Sequence, residues 1–174
     1  EKHSTPLQYV EDLISENPML KKSEEARQRW GGAHDSIDQW LTERQDLLVN
    51  YFKLAALPPY EGVRNGLPDV TDIRDFCGQL VDYVSSGHFE IYEQLMKQAR
   101  ENKQPLEALL EQVFPLISDT TEIALDFNDN YGEIDSNNHL NQFDRDLSAL
   151  GEAIELRMEF EDQLLHHLET HKAL

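Results

Sequence analysis

The chain has 174 residues, which fits a single domain large enough to bury a hydrophobic core without disulfides or structural metals. Hydrophobic residues make up 39% of the chain and charged residues 28%, as in globular and not disordered proteins. The formal net charge is −19, with only 15 Lys and Arg residues. Direct binding to nucleic acid or to an anionic membrane surface is therefore disfavoured, because both need clustered basic side chains.

An acidic surface has two interpretations: it keeps the protein soluble, or it attracts a basic partner protein. The single cysteine, Cys77, cannot form an internal disulfide, so we expect a reducing compartment, the cytoplasm. No apolar run approaches the ~18 residues of a membrane span, and no signal-peptide pattern opens the chain.

The first 18 residues differ from the rest of the chain, with weak periodicity and an early Pro6. Strong helical sequence follows directly after Met19. We interpret Met19 as the natural start, and residues 1–18 as an expression remnant or an N-terminal extension. Residues 19–174 then form a single helical domain.

Apolar residues recur at spacings of three and four along most of the chain, the pattern of amphipathic helices. In chain order, the predicted helices span about residues 22–57 with a break at 31–32, 69–87, 88–102, 105–114, 115–131 and 138–171. No stretch predicts a strand. The pattern predicts an all-α protein, an antiparallel four-helix-type bundle with additional short helices.

The histidines near the C-terminus are the first candidate for a metal site, since His167 and His171 could share one helix face. Di-metal bundles need paired Glu-x-x-His motifs, and none occurs in the sequence. Histidine near a helix C-terminus is also favoured by the helix dipole alone. We therefore expect no metal site and no cofactor.

Nucleophilic catalysis has equally little support. Cys77 lies on an apolar stripe between Phe76 and Leu80, where a free cysteine is usually inert packing. The sequence has no glycine-rich phosphate loop, nucleophile elbow or HExxH motif. We predict that the protein is not an enzyme.

Two charged residues, Arg157 and Glu161, project onto the apolar stripe of the last helix. The favoured interpretation is an i,i+4 ion pair at the edge of the core. The alternative is a polar spot inside the bundle that tunes the binding of a partner.

Asp82, Ser85 and Phe89 would lie within about 60° of each other, opposite the apolar stripe, if their helix continues past Gly87. A phenylalanine beside Asp and Ser on an outward face suggests a docking anchor. Alternatively, Gly87 kinks the chain and turns Phe89 into the core. The geometry alone favours neither interpretation.

The sequence resembles the Rsd/AlgQ family, the regulators of sigma D, from about Met19 to the C-terminus. Three blocks in order carry the resemblance: FCGQLVDYVSSGHFEIYE at 76–93; DQWL at 38–41 with Arg44, Leu47, Leu48 and Tyr51; and LSALGEAIE at 147–155 with Arg157, Glu161 and Asp162. Trp30 with its two following glycines is nearer the AlgQ branch. The block at 76–93 is similar to both branches.

The resemblance implies an anti-sigma factor with a four-helix-type bundle. Family members bind the primary sigma factor, mainly its C-terminal region four. They keep it from core RNA polymerase and the −35 promoter element, which favours alternative sigma factors in stationary phase. The family's sigma-binding Asp, Ser and Phe fall on Asp82, Ser85 and Phe89. Some members also bind the phosphocarrier protein HPr, so an acidic scaffold for HPr or another regulator is the alternative. A third interpretation is a metal-dependent bundle enzyme.

Overall fold

A computed structural model describes residues 17–32, 35–61, 68–86 and 106–170, together with the isolated residue 97. Its α-helices are α1 (Pro18–Trp30), α2 (Asp35–Ala55), α3 (Val70–Ser86), α4 (Leu106–Tyr131) and α5 (Phe143–Thr170). A short 3₁₀ helix, Asn137–His139, precedes α5. The described ranges contain helices and turns and no strand, so the all-α prediction is confirmed.

The four longer helices pack in a closed ring. Helix α3 lies between α2 and α4, α4 packs against α5, and α5 returns to contact α2. Helix α1 packs outside this ring, against α2 and α5. This arrangement is compatible with the expected four-helix-type bundle. Its core includes a group of aromatic rings packed edge-on or tilted: Tyr51, Phe76, Phe127, Tyr131 and Phe143.

Helix α1 is closed at both ends by its own sequence. The side chain of Asn17 caps its start, accepting hydrogen bonds from the backbone N–H of Met19 at 3.0 Å and of Leu20 at 3.2 Å. Asn17 also donates to the carbonyl of Pro58 at 2.8 Å. At the other end Gly32 has a φ of 86°, a value that favours glycine. The predicted break at residues 31–32 is therefore confirmed.

Two predicted boundaries are wrong. Pro115 does not open a new helix, because α4 runs through it without interruption. Proline removes one backbone hydrogen bond, but Val113 and Ile117, two residues before and after it, are buried in the core and hold the helix together. The last helix also begins later than expected, after the 3₁₀ turn. The helix predicted over 88–102 lies outside the described ranges.

Candidate functional site

Helix α3 carries two of the three predicted docking residues. Its start is fixed by Asp69, whose carboxylate accepts a hydrogen bond from the N–H of Thr71 at 3.0 Å. The buried stripe of α3 fixes its rotation and consists of Ile73, Phe76, Cys77, Leu80, Tyr83 and Val84. With that stripe inside, Asp82 is exposed and Ser85 is half-buried one turn later. The structure thus places both on one outward surface.

Phe89 lies outside the described residues, as does Gly87. Whether Phe89 joins Asp82 and Ser85 on this surface therefore stays a prediction.

Directly beneath this surface, four charged side chains from α2 and α5 meet Tyr83. We call Arg44, Arg157, Glu161, Asp162 and Tyr83 the buried ionic cluster. Glu161 accepts hydrogen bonds from Tyr83 Oη at 2.5 Å, from Arg157 Nε at 2.9 Å and from Arg44 Nη1 at 3.4 Å. Arg44 Nη1 also donates to Asp162 at 2.8 Å. Two positive charges thus face two negative ones, as buried charge requires.

Arg157 links three helices. From α5 it reaches α4, where Nη1 donates to Thr121 Oγ1 at 2.7 Å and to Thr120 Oγ1 at 3.2 Å. Its Nη2 donates to the carbonyl of Val84, in the last turn of α3, at 3.4 Å. That turn has no basic residue of its own. Arg157 therefore supplies a positive charge at the negative end of the α3 dipole, beside Asp82 and Ser85.

The i,i+4 ion pair expected between Arg157 and Glu161 is confirmed, at 2.9 Å, but its expected place at the edge of the core is wrong. Their side chains are 2% and 0% exposed, so the pair lies inside the bundle. The position follows from the apolar neighbours of these residues on α5. Leu150, Ile154, Met158 and Leu165 rotate the helix so that this stripe faces inward.

Arg44, like Tyr83 and Asp162, is a member of the cluster that sequence reasoning missed. It lies on the same apolar face as Trp40 and Leu41. Its side chain is fully buried, with the guanidinium 5.8 Å from the centre of the Trp40 ring. Burial opposes the charge, but Tyr83, Asp162 and Glu161 raise the pKa of Arg44 above its usual value. A charged residue on an otherwise apolar stripe was the signal available in the sequence.

The predictions for the cysteine and for metal binding concern residues on α3 and α5. Cys77 is buried as predicted, and burial raises the pKa of its thiol to about 12, which makes it a poor nucleophile. Across the described ranges, no three His, Cys, Asp or Glu side chains are grouped to hold a metal ion. His166 instead contacts Arg29, with Nδ1 and Nη2 3.3 Å apart.

Comparison with known proteins decides the family. Residues 19–169 match the family described as "Regulator of RNA polymerase sigma(70) subunit, Rsd/AlgQ". The chain belongs to the Rsd/AlgQ family. The resemblance in the sequence is thereby confirmed over residues 19–169.

Relatives within the Rsd/AlgQ family are named regulators of sigma D. The protein from Yersinia enterocolitica is 38% identical over 148 residues, which cover 84% of this chain and 88% of the relative. That from Salmonella paratyphi A is 38% identical over 149 residues, with 84% and 90% covered. A third, from Yersinia pseudotuberculosis, is 36% identical, with 84% and 87% covered. The chain thus matches these proteins over almost their whole length.

Membrane association through a spanning helix has no support in the described part of the chain. None of its helices combines the length and the apolar character needed to cross a bilayer.

Proposed function

We propose that this chain is an anti-sigma regulator that binds the primary sigma factor, mainly through region four. Bound in this way, the sigma factor is kept from core RNA polymerase and from the −35 promoter element, in the cytoplasm. Alternative sigma factors then gain access to the polymerase in stationary phase. The observation that carries the proposal is the outward face of α3, which presents Asp82 and Ser85 on a helix held from behind by buried charges.

The mechanism we propose is competition for one surface of the sigma factor. Region four is a helix-turn-helix module, and such modules use basic residues to contact DNA phosphates. Asp82 is an exposed carboxylate that can pair with one of these residues, and Ser85 can add a hydrogen bond. Phe89 would bury its ring in an apolar pocket of the partner. A sigma factor held by these contacts cannot use the same surface on DNA.

The net charge of −19 supports this choice of partner, because a basic module is attracted to an acidic protein before contact. A large part of that charge lies on α4 and α5, outside the surface formed by Asp82 and Ser85, where it accelerates encounter.

Calorimetric titration with the isolated region four of the primary sigma factor tests the proposal. We expect one-to-one binding, weakened about tenfold in both Asp82→Ala and Phe89→Ala, the range for interface anchors. Asp126→Ala is the matched control, since Asp126 is also an exposed carboxylate, on α4. Binding of HPr and not of region four would overturn the proposal in favour of the scaffold interpretation.

A further inference from the structure

A groove of about 810 Å³ runs between α2 and α3 and ends at Asp82. Its walls include the apolar side chains of Leu54, Pro68 and Phe76, all largely buried. The docking surface assigned to Asp82 and Ser85 therefore continues toward the start of α3 as a concave, partly apolar channel. We call this channel the α2–α3 groove.

The outward stripe of α3 continues into the groove. Asp75, Gly78, Asp82 and Ser85 follow one another at spacings of three, four and three residues, which places them on one helix face. Asp75 and Asp82 are both exposed. Seven residues of helix separate them by about 10 Å along the axis. Two carboxylates at this separation match basic side chains two turns apart on a partner helix.

Between the two carboxylates lies Gly78, and the fold gives no reason for a glycine there. It is exposed in the middle of α3, where glycine is a poor helix former. A Cβ atom added to it would meet no heavy atom within 4 Å, so any side chain could be accommodated. The missing side chain leaves a notch in the stripe, where the backbone of a partner can approach closely.

The groove carries more acidic than basic side chains: Asp72, Asp75 and Asp82 line it, against Lys53 and Arg74. The ammonium group of Lys53 lies 5.5 Å from the centre of the Tyr60 ring, at the α2 side of the groove. On the α2 side, Asn50 donates to the amide oxygen of Gln79 at 2.8 Å, which holds the two walls together. Arg74 is exposed one turn before Gly78, and from Asp75 to Ser85 the two exposed charges of the stripe are both negative.

We propose that the α2–α3 groove receives a basic, amphipathic helix of the sigma factor. Asp75 and Asp82 pair with its basic side chains, Gly78 lets the two helices lie close together, and the apolar walls cover its apolar face. This inference rests on the proposed function and adds Asp75 and Gly78 to the contact surface. The partner's chemistry follows from the groove, where three carboxylates outnumber two cations and apolar side chains lie between its walls.

The decisive variant is Gly78→Arg, measured by calorimetry with region four and by thermal unfolding. Because nothing occupies the space around Gly78, the variant should keep or raise the melting temperature. It places bulk and positive charge in the groove, so affinity should fall more than about tenfold. Gln112→Arg on the exposed face of α4 is the matched control, with the same change of charge and an unchanged affinity.

A second variant keeps the test valid if Gly78→Arg fails to fold. Asp75→Asn keeps the shape of the side chain, and we expect it to weaken binding several-fold and to reduce its salt dependence. Wild-type affinity in both Gly78→Arg and Asp75→Asn, with Asp82→Ala still weakened, would overturn the groove and leave the proposed function intact. Absence of wild-type binding to region four would instead overturn the proposed function itself.

Discussion

The substitution Glu161→Gln tests whether the buried ionic cluster holds the bundle together. The two side chains have nearly the same shape, so the variant removes the charge and creates no cavity. Glu161 accepts hydrogen bonds from Tyr83, Arg157 and Arg44. A glutamine offers only one accepting oxygen, and its amide N–H would face donors.

The expected loss of unfolding free energy follows from the hydrogen-bond acceptors that each arginine keeps in the variant. Arg44 keeps the carboxylate of Asp162 at 2.8 Å. Arg157 keeps neutral acceptors, namely Thr120, Thr121 and backbone carbonyls. Leaving a buried charge without its counter-charge costs about 3–5 kcal/mol. We expect a loss near the lower limit, ~3 kcal/mol, because Asp162 still compensates one charge. For a protein of this size that corresponds to a fall of about 6–12 °C in melting temperature.

Urea unfolding followed by circular dichroism measures this loss directly. Glu155→Gln provides the matched control, because Glu155 is exposed on the same helix and should change stability by less than about 0.5 kcal/mol. If Glu161→Gln were destabilised by no more than about 1 kcal/mol, the cluster would not be a principal support of the core and the electrostatic argument would fail.

Three further outcomes are expected. Gly151→Ala should destabilise the fold by about 1–3 kcal/mol in urea unfolding. The added Cβ would lie 2.0 Å from the Tyr51 hydroxyl, which donates a hydrogen bond to the Leu147 carbonyl. Gly78→Ala is the control and should not destabilise the fold, because the space around Gly78 is open. Burial raises the pKa of the Cys77 thiol from 9.0 to about 12. The stability that the protonated thiol contributes is therefore complete below pH 9 and declines as the pH rises toward 12, by up to about 1.4 kcal/mol per pH unit. Cys77→Ala should flatten this part of the pH–stability curve. Association with region four should slow as salt increases, and a stopped-flow on-rate that is independent of ionic strength would contradict electrostatic steering.

Periodicity was sufficient to predict most helices, because the buried face of each is nearly all apolar. Helix α3 illustrates this: Phe76, Cys77 and Leu80, predicted to lie on its apolar stripe, are buried, which places Asp82 outside. Glycine was also informative, because the pair Gly31 and Gly32 predicted where a helix ends. Proline was misleading at Pro115. Its cost is local, whereas the buried residues before and after it contribute to the core across several turns.

Charged residues on an apolar stripe could not be placed from one helix alone. Arg157 and Glu161 are four residues apart, and an i,i+4 pair is common on exposed helix faces. Their burial depends on Arg44, more than a hundred residues earlier in the chain, and on Tyr83 of α3. Sequence spacing carries no information on such long-range partners. For the same reason the α2–α3 groove was not foreseen, since its walls come from two helices.

Stability alone does not explain why the core contains this cluster, since well-packed apolar residues often stabilise a protein as much as a buried ion pair. An apolar core would, however, leave the Val84 carbonyl without the Arg157 donor at the end of α3. That carbonyl lies between Asp82 and Ser85 in sequence, so a shift of this turn moves the docking surface itself. The double variant Arg157→Met/Glu161→Met separates the two roles, because it removes both charges together. We expect its stability to stay within about 2 kcal/mol of the wild type and its affinity for region four to fall. Wild-type affinity in this variant would mean that α3 is positioned by apolar packing alone.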